Sequence, residues 1–295
     1  MRIAVLLATL VAAGAYACSS SSSPSTGDGG SSSSSGGSSG SGSGGSSGGS
    51  SGSGSGSGSS SGGGDAGPCV VATIPGLVAY YPFDGDAKDY SGNGYNATAT
   101  NVTSEAGVLG QAYLFNGSNS AVTVSSGITA ASLPRTFCAW ISPAPGATGL
   151  GLPIILSGNL QPGGSDDQFS VAGSGSHIGG CSFAAPNALF LDHFQNACIT
   201  SATATVTPGG WSFVCYETNG TQLQFYVNGT GAAVTGSVYP WAIPNIVIGG
   251  NNLGAGTTGP SFGGGIDEVS LWSAVLSPSQ IASLYNGGAG CRAHP

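Results

Sequence analysis

Trp211-Ser212-Phe213-Val214-Cys215-Tyr216-Glu217-Thr218-Asn219-Gly220-Thr221-Gln222-Leu223-Gln224-Phe225-Tyr226-Val227-Asn228-Gly229 places two aromatic and β-branched runs on either side of Asn219-Gly220. Such runs favour extended backbone, and Asn-Gly is the strongest short-range hairpin signal. A second turn signal, Asn228-Gly229, follows at once. The same reading extends outward in both directions. Upstream lie Leu77–Tyr81, Ala112–Phe115, Ala121–Val124 and Thr136–Ile141; downstream lie Ile246–Ile248 and Ile266–Trp272. Gly- and Pro-rich turns separate these runs, which predicts an all-β fold, a two-sheet antiparallel sandwich or jelly roll.

One short C-terminal helix breaks the pattern. Ser277 suits the N-cap, Pro278 the first helical position, and Gln280 completes a capping box. Ile281, Leu284 and Tyr285 give it an apolar face, and Gly287-Gly288 ends it.

The N-terminal quarter has a different composition. Residues 1–17 read as a signal peptide: Arg2, an apolar run from Ile3 to Ala13, then Ala15-Tyr16-Ala17 before Cys18. The apolar run is shorter than the roughly 20 residues that span a membrane. The segment resembles the lipobox of bacterial lipoproteins, with Ala15 where that motif prefers Leu. The resemblance makes Cys18 the lipid-anchor residue and places the protein at a bacterial outer membrane or cell surface; plain secretion is the simpler alternative. Residues 18–68 are almost entirely Ser and Gly. They have no apolar surface to bury, so they are expected to be a disordered tether spanning about 40 Å r.m.s.. The domain is then 69–295.

Its charge excludes one partner class. Lys88, Arg135 and Arg292 are the domain's only cations, against ten of the chain's 12 carboxylates, Asp28 and Asp65 lying in the tether. Nucleic-acid binding needs clustered Lys and Arg. The acidic excess favours neutral ligands, cations or basic partners.

Apart from Cys18, six cysteines remain, an even set that suits disulfides in an exported chain. Position suggests Cys69 with Cys291 across the domain ends and Cys181 with Cys198 in one irregular segment. Cys138 and Cys215, each in an apolar run, are left to pair. Zinc is disfavoured because no pair has C-x-x-C spacing.

Several segments resemble the laminin-G-like, concanavalin A-like lectin/glucanase jelly rolls in the right order. These are Gly76–Gly85, Asp89–Gly94, Tyr113–Gly117, Phe225–Gly229, Ile266–Val269 and Leu276–Gly287. Phe137-Cys138 and Trp211–Cys215 resemble the paired cysteine strands of pentraxins, which supports the Cys138–Cys215 pairing. In such jelly rolls a structural calcium often joins an early acidic residue to an aspartate on the last strand. The resemblance therefore implies calcium at Asp84 and Asp267, with Asp89 a third ligand. The Gly-rich acidic turn at Asp84, Asp86 and Asp89 is chemically suited to it. The alternative is that Asp267 caps backbone amides and the turn is simply solvated.

The fold also hosts glucanases, which need two carboxylates set apart across the scissile bond. The E-x-D-x-x-E and E-x-D-x-E patterns are missing here, and Glu105, Glu217 and Glu268 are far apart in sequence. That favours binding over cleavage. Asp166 and Asp167 are candidate ligand contacts, as are Tyr239 and Trp241 in an aromatic loop suited to sugar stacking. The sequence thus reads as a surface-anchored module recognising carbohydrate or an extracellular protein. A glycoside hydrolase or lyase and a passive surface protein are the alternatives.

Overall fold

The computed structural model describes residues 69–124, 128, 134–147, 152–158, 166–172, 177–178, 181–182, 185–193, 197–234, 245–250 and 261–293. In chain order the strands are β1 Leu77–Tyr81, β2 Ala97–Thr100, β3 Thr103–Ala106, β4 Gln111–Asn116, β5 Ala121–Val124 and β6 Arg135–Pro143. They continue with β7 Leu152–Gly158, β8 Asp166–Val171, β9 His177–Ile178, β10 Cys181–Ser182, β11 Ala188–His193 and β12 Ala197–Thr205. Last come β13 Ser212–Thr218, β14 Leu223–Val227, β15 Thr230–Ala232, β16 Ile246–Ile248 and β17 Gly263–Trp272.

Two large antiparallel sheets result. One runs β15-β14-β13-β6-β17-β4-β3, with β1 also paired to β17; the other runs β12-β11-β8-β7-β16-β5-β2. This is the jelly-roll sandwich expected from the sequence. Between the sheets, Phe169 of β8 packs against Phe225 at 5.6 Å, Tyr216 at 5.1 Å and Phe137 at 5.9 Å between ring centroids. Such aromatic pairs each add about 0.5–1.5 kcal/mol beyond area burial.

The outer face of the first sheet is covered too, and this explains the composition of β13. Every residue from Ser212 to Thr218 is buried. Val214 and Tyr216 face the inter-sheet core, while Phe213 and Cys215 join Cys138, Trp140, Trp272, Ile281 and Leu284 on the other side. A strand covered on both faces reads as a continuous apolar run rather than an alternating one.

The hairpin between β13 and β14 forms, with Thr218 opposite Leu223, so its loop is four residues rather than two. Asn219 Oδ1 accepts the amides of Thr221 and Gln222 at 2.9 and 2.8 Å, an Asx turn that the Asn-Gly signal alone does not distinguish.

The covering element is helix α1, Pro278–Tyr285. Ser277 Oγ accepts the amide of Gln280, and Gln280 Oε1 accepts the amide of Ser277 at 2.8 Å. Ile281 and Leu284 are fully buried, each contributing roughly 1.5–3 kcal/mol. Asn286, with φ 48°, takes the left-handed capping position just before Gly287.

Disulfides staple the domain. Cys138 and Cys215 are bonded and lie directly opposite in the β6–β13 register with Cα atoms 4.2 Å apart. Cys69 and Cys291 are also bonded, closing the domain end to end. Cys198 is disulfide-bonded as well. Cys181 begins β10, and its side chain lies outside the described residues, as does Cys18.

Candidate functional site

Asp267 interrupts β17 because the strand bulges there. The β17–β6 register shifts between Asp267 and Ser270, and Glu268 takes a left-handed φ of 53°. The bulge lets two consecutive carboxylates enter one cluster instead of pointing to opposite faces. Asp267 Oδ2 accepts the amides of Val108 and Leu109 at 2.8 and 3.2 Å. Asp84 reaches the same turn from the segment after β1, its Oδ1 accepting the amide of Gln111 at 2.7 Å. Both approaches depend on glycine: a Cβ on Gly107 would collide with the Asp267 carboxylate, and one on Gly110 with that of Asp84.

Arg292 supplies the cluster's positive charge. The residue after Cys291, it donates its amide to Cys69 O at 2.7 Å and bridges in parallel to Val70. Its Nη2 is hydrogen-bonded to Asp84 Oδ2 and lies 3.5 Å from Leu109 O, while its Nε stands 4.0 Å from Glu268 Oε1. The Tyr80 hydroxyl donates to Glu268 Oε2. Asp267 Oδ1 and Glu268 Oε1 remain buried without a hydrogen-bond partner.

Burial dominates the chemistry of these acids. It raises Asp267 from 3.8 to about 7, against the opposing pull of the Leu109 and Val108 amides. Burial likewise raises Glu268 from 4.5 to about 8. With 0% and 4% relative exposure, neither carboxylate can be reached by a polysaccharide.

The sequence-predicted metal set is only partly brought together. Asp84 and Asp267 share the Val108–Gln111 turn, but Asp89 does not join them. Its oxygens accept the amides of Tyr80, Ser91 and Tyr95 at 3.0, 2.8 and 3.0 Å, because a short acid in a Gly-rich loop satisfies nearby amides first. Among the described residues no group of three or more His, Cys, Asp or Glu is arranged to hold a metal ion. Calcium needs about six to eight oxygens. Here Asp84 Oδ2 and Leu109 O already face a guanidinium, and Asp267 Oδ2 is committed to two amides, so the cluster as built does not fit calcium.

Glu268 and Arg292 escape a sequence reading. Two consecutive acids in an apolar strand are a signal for a bulge, but nothing marks Arg292 beyond its position after a cysteine.

A different region offers ligand space. A cavity of about 400 Å³ lies at the β13–β14 hairpin, lined mainly by polar side chains including Glu217, Asn219, Gln222 and Gln224. Glu217 is buried, which raises its pKa, and Tyr226 donates to its Oε1 at 2.7 Å. Its Oε2 has no hydrogen-bond partner. Gln224 Nε2 donates to the carbonyls of Phe225 and Ala232, which orients its Oε1 away from them. Glu217 is the one acid lining this groove among the described residues, so it lacks a partner for acid–base hydrolysis.

The remaining candidates are placed only in part. Asp166 and Asp167 are consecutive positions of β8, and their side chains lie outside the described residues. Tyr239 and Trp241 also lie outside them.

Residues 116–282 match the concanavalin A-like lectin/glucanases superfamily. The chain belongs to that superfamily. Among solved structures, this concanavalin A-like chain is similar to domain 4 of AbnA, a GH43 extracellular arabinanase from Geobacillus stearothermophilus, in complex with arabinotriose. Identity is 22%, covering 70% of this chain and 97% of that one, with a TM-score of 0.54. Trypanosoma rangeli sialidase in complex with sialic acid is 16% identical over 75% of this chain, at a TM-score of 0.56; the chain spans 36% of the sialidase. The binding domain of Paraclostridial Mosquitocidal Protein 1 is 14% identical over 72% of this chain and 52% of its own, at a TM-score of 0.51. At these identities the likeness is one of fold. No curated protein matches the chain.

Proposed function

We propose that residues 69–295 form a carbohydrate-recognition module, held at a bacterial surface by lipidated Cys18 and carried on the Ser/Gly tether. The observation that supports it best is the polar groove at the β13–β14 hairpin on a lectin/glucanase-type sandwich. Sugars are recognised by a few convergent polar groups in a concave site. Gln222, Gln224 and Asn219 supply amides there. The arabinotriose complex of the arabinanase domain supports an oligosaccharide as the ligand class.

The charge distribution favours a neutral glycan. Lys88 is paired with Asp86 at 2.8 Å, Arg135 is fully buried, and Arg292 is held in the acidic cluster. None of the three lines the groove to meet a sialic or uronic carboxylate. Recognition rather than cleavage is supported by Glu217 being the one acid lining the groove among the described residues and by the inaccessibility of Asp267 and Glu268.

A glycan array tests this with the soluble chain carrying Cys18→Ser. Binding to neutral oligosaccharides, weakened at least tenfold by Gln224→Ala, is expected. Silence on every glycan would favour the passive surface-protein reading, and release of new sugar ends would favour a hydrolase.

A further inference from the structure

Given the hairpin groove as the glycan site, a reading on which this one rests, we infer that it selects an acetamido group. Gln224 Oε1 accepts the N–H of a 2-acetamido sugar, Gln222 Nε2 donates to its carbonyl, and Val234 and Val275 receive its methyl. The first support is the way Gln224 is held. Its Nε2 donates to the carbonyls of Phe225, at 3.0 Å, and Ala232, and two carbonyl partners fix that end of the amide as the NH2. Gly231 of β15 lies against it, since a Cβ there would stand 3.3 Å from Gln224 Nε2. Gln224 Oε1 is thus a held acceptor, and it takes no hydrogen bond among the described residues.

Gln222 supplies the opposite polarity. Its Oε1 accepts from Asn219 Nδ2 at 3.4 Å, which leaves Nε2 to donate. The third feature is apolar: Val234 and Val275 line the same cavity as these amides, and Val275 is 44% exposed. Val234 stands two residues beyond Ala232, whose carbonyl holds Gln224. A sugar hydroxyl donates, accepts and rotates, so a fixed acceptor, a fixed donor and an apolar wall give it no advantage. An acetamido group matches all three. Its amide is planar, with the N–H and carbonyl pointing opposite ways, and its methyl removes apolar surface from water when it meets the valines. A plain hexose in the same seat leaves both valines wet. The group is also uncharged, in keeping with a groove that no cation lines.

The test is titration calorimetry of the Cys18→Ser chain with sugars paired to differ only in the acetamido substituent. Triacetylchitotriose is set against cellotriose, and the methyl glycoside of N-acetylgalactosamine against that of galactose. In at least one pair the acetamido member should bind about tenfold tighter or more. Val275→Thr keeps the side-chain volume at an exposed position and replaces a methyl by a hydroxyl. It should cut that ratio by about threefold or more while the hexose affinity holds. Gln224→Ala should weaken the acetamido sugar by more than its hexose partner. Equal affinities within both pairs, or a ratio that either variant leaves untouched, would overturn the inference and leave the groove a glycan site without this preference. Silence on both pairs, with a plain-hexose polysaccharide still bound, would do the same. Silence on every glycan would overturn it together with the reading of the groove.

Discussion

Arg292 Nη2 is hydrogen-bonded to Asp84 Oδ2 across 208 positions of sequence, joining the turn after the first strand to the residue that follows the last cysteine. The contact closes the domain beside the Cys69–Cys291 disulfide and leaves the buried Glu268 carboxylate 4.0 Å from the guanidinium Nε.

Stability should fall as pH rises through neutrality. Asp267 and Glu268 have folded pKa values, about 7 and about 8, above their unfolded values of 3.8 and 4.5, chiefly through burial. The folded state therefore holds more protons than the unfolded chain between those limits, and the stabilisation is complete below about pH 4 and lost by about pH 8. Melting temperature measured from pH 5 to 8 should decline, and Asp267→Asn should flatten the decline. A rising curve over that window would contradict the burial argument.

Gly107→Ala and Gly110→Ala should each destabilise the domain by about 1–3 kcal/mol. The new methyl would press on Asp267 in one case and on Asp84 in the other, and Gly110 also holds a φ of 81°. Urea unfolding midpoints read the loss; Gly146→Ala, which meets nothing within 4 Å yet has a comparable φ of 71°, controls for the backbone term.

Tyr80→Phe should cost about 1–3 kcal/mol, because it leaves buried Glu268 Oε2 without the hydroxyl that donates to it. A double-mutant cycle with Glu268→Gln should show coupling. Additive effects would place the energy elsewhere.

Replacing Cys138 and Cys215 together by Ala should lower stability by about 4 kcal/mol through lost loop-closure entropy, given their sequence separation of 77. Chemical denaturation of the variant beside the parent chain measures this directly.

Legibility followed chemistry that acts locally. The β13–β14 hairpin, β1, β16 and α1 stand out because strand residues, Asn-Gly turns and a capping box are short-range signals. Ala97–Thr100 and Thr103–Ala106 are strands without a strong apolar pattern: both lie toward sheet edges and bury little, so tertiary pairing rather than composition makes them extended. Asp84 and Asp267 were readable as a pair through resemblance. Glu268 enters their cluster only because β17 bulges, and Arg292 only because a disulfide brings the C-terminal end beside the turn at Val108–Gln111. Those are long-range facts of packing that no window of sequence contains.

The central claim, recognition of a neutral glycan at the hairpin groove, is tested most directly by affinity electrophoresis of the Cys18→Ser chain through gels containing neutral or acidic polysaccharide, with products assayed for new reducing ends. Retardation in a neutral polysaccharide gel, relieved by Gln224→Ala and without new ends, is the expected result. Unchanged mobility in every gel, or retardation that Gln224→Ala leaves intact, would contradict it.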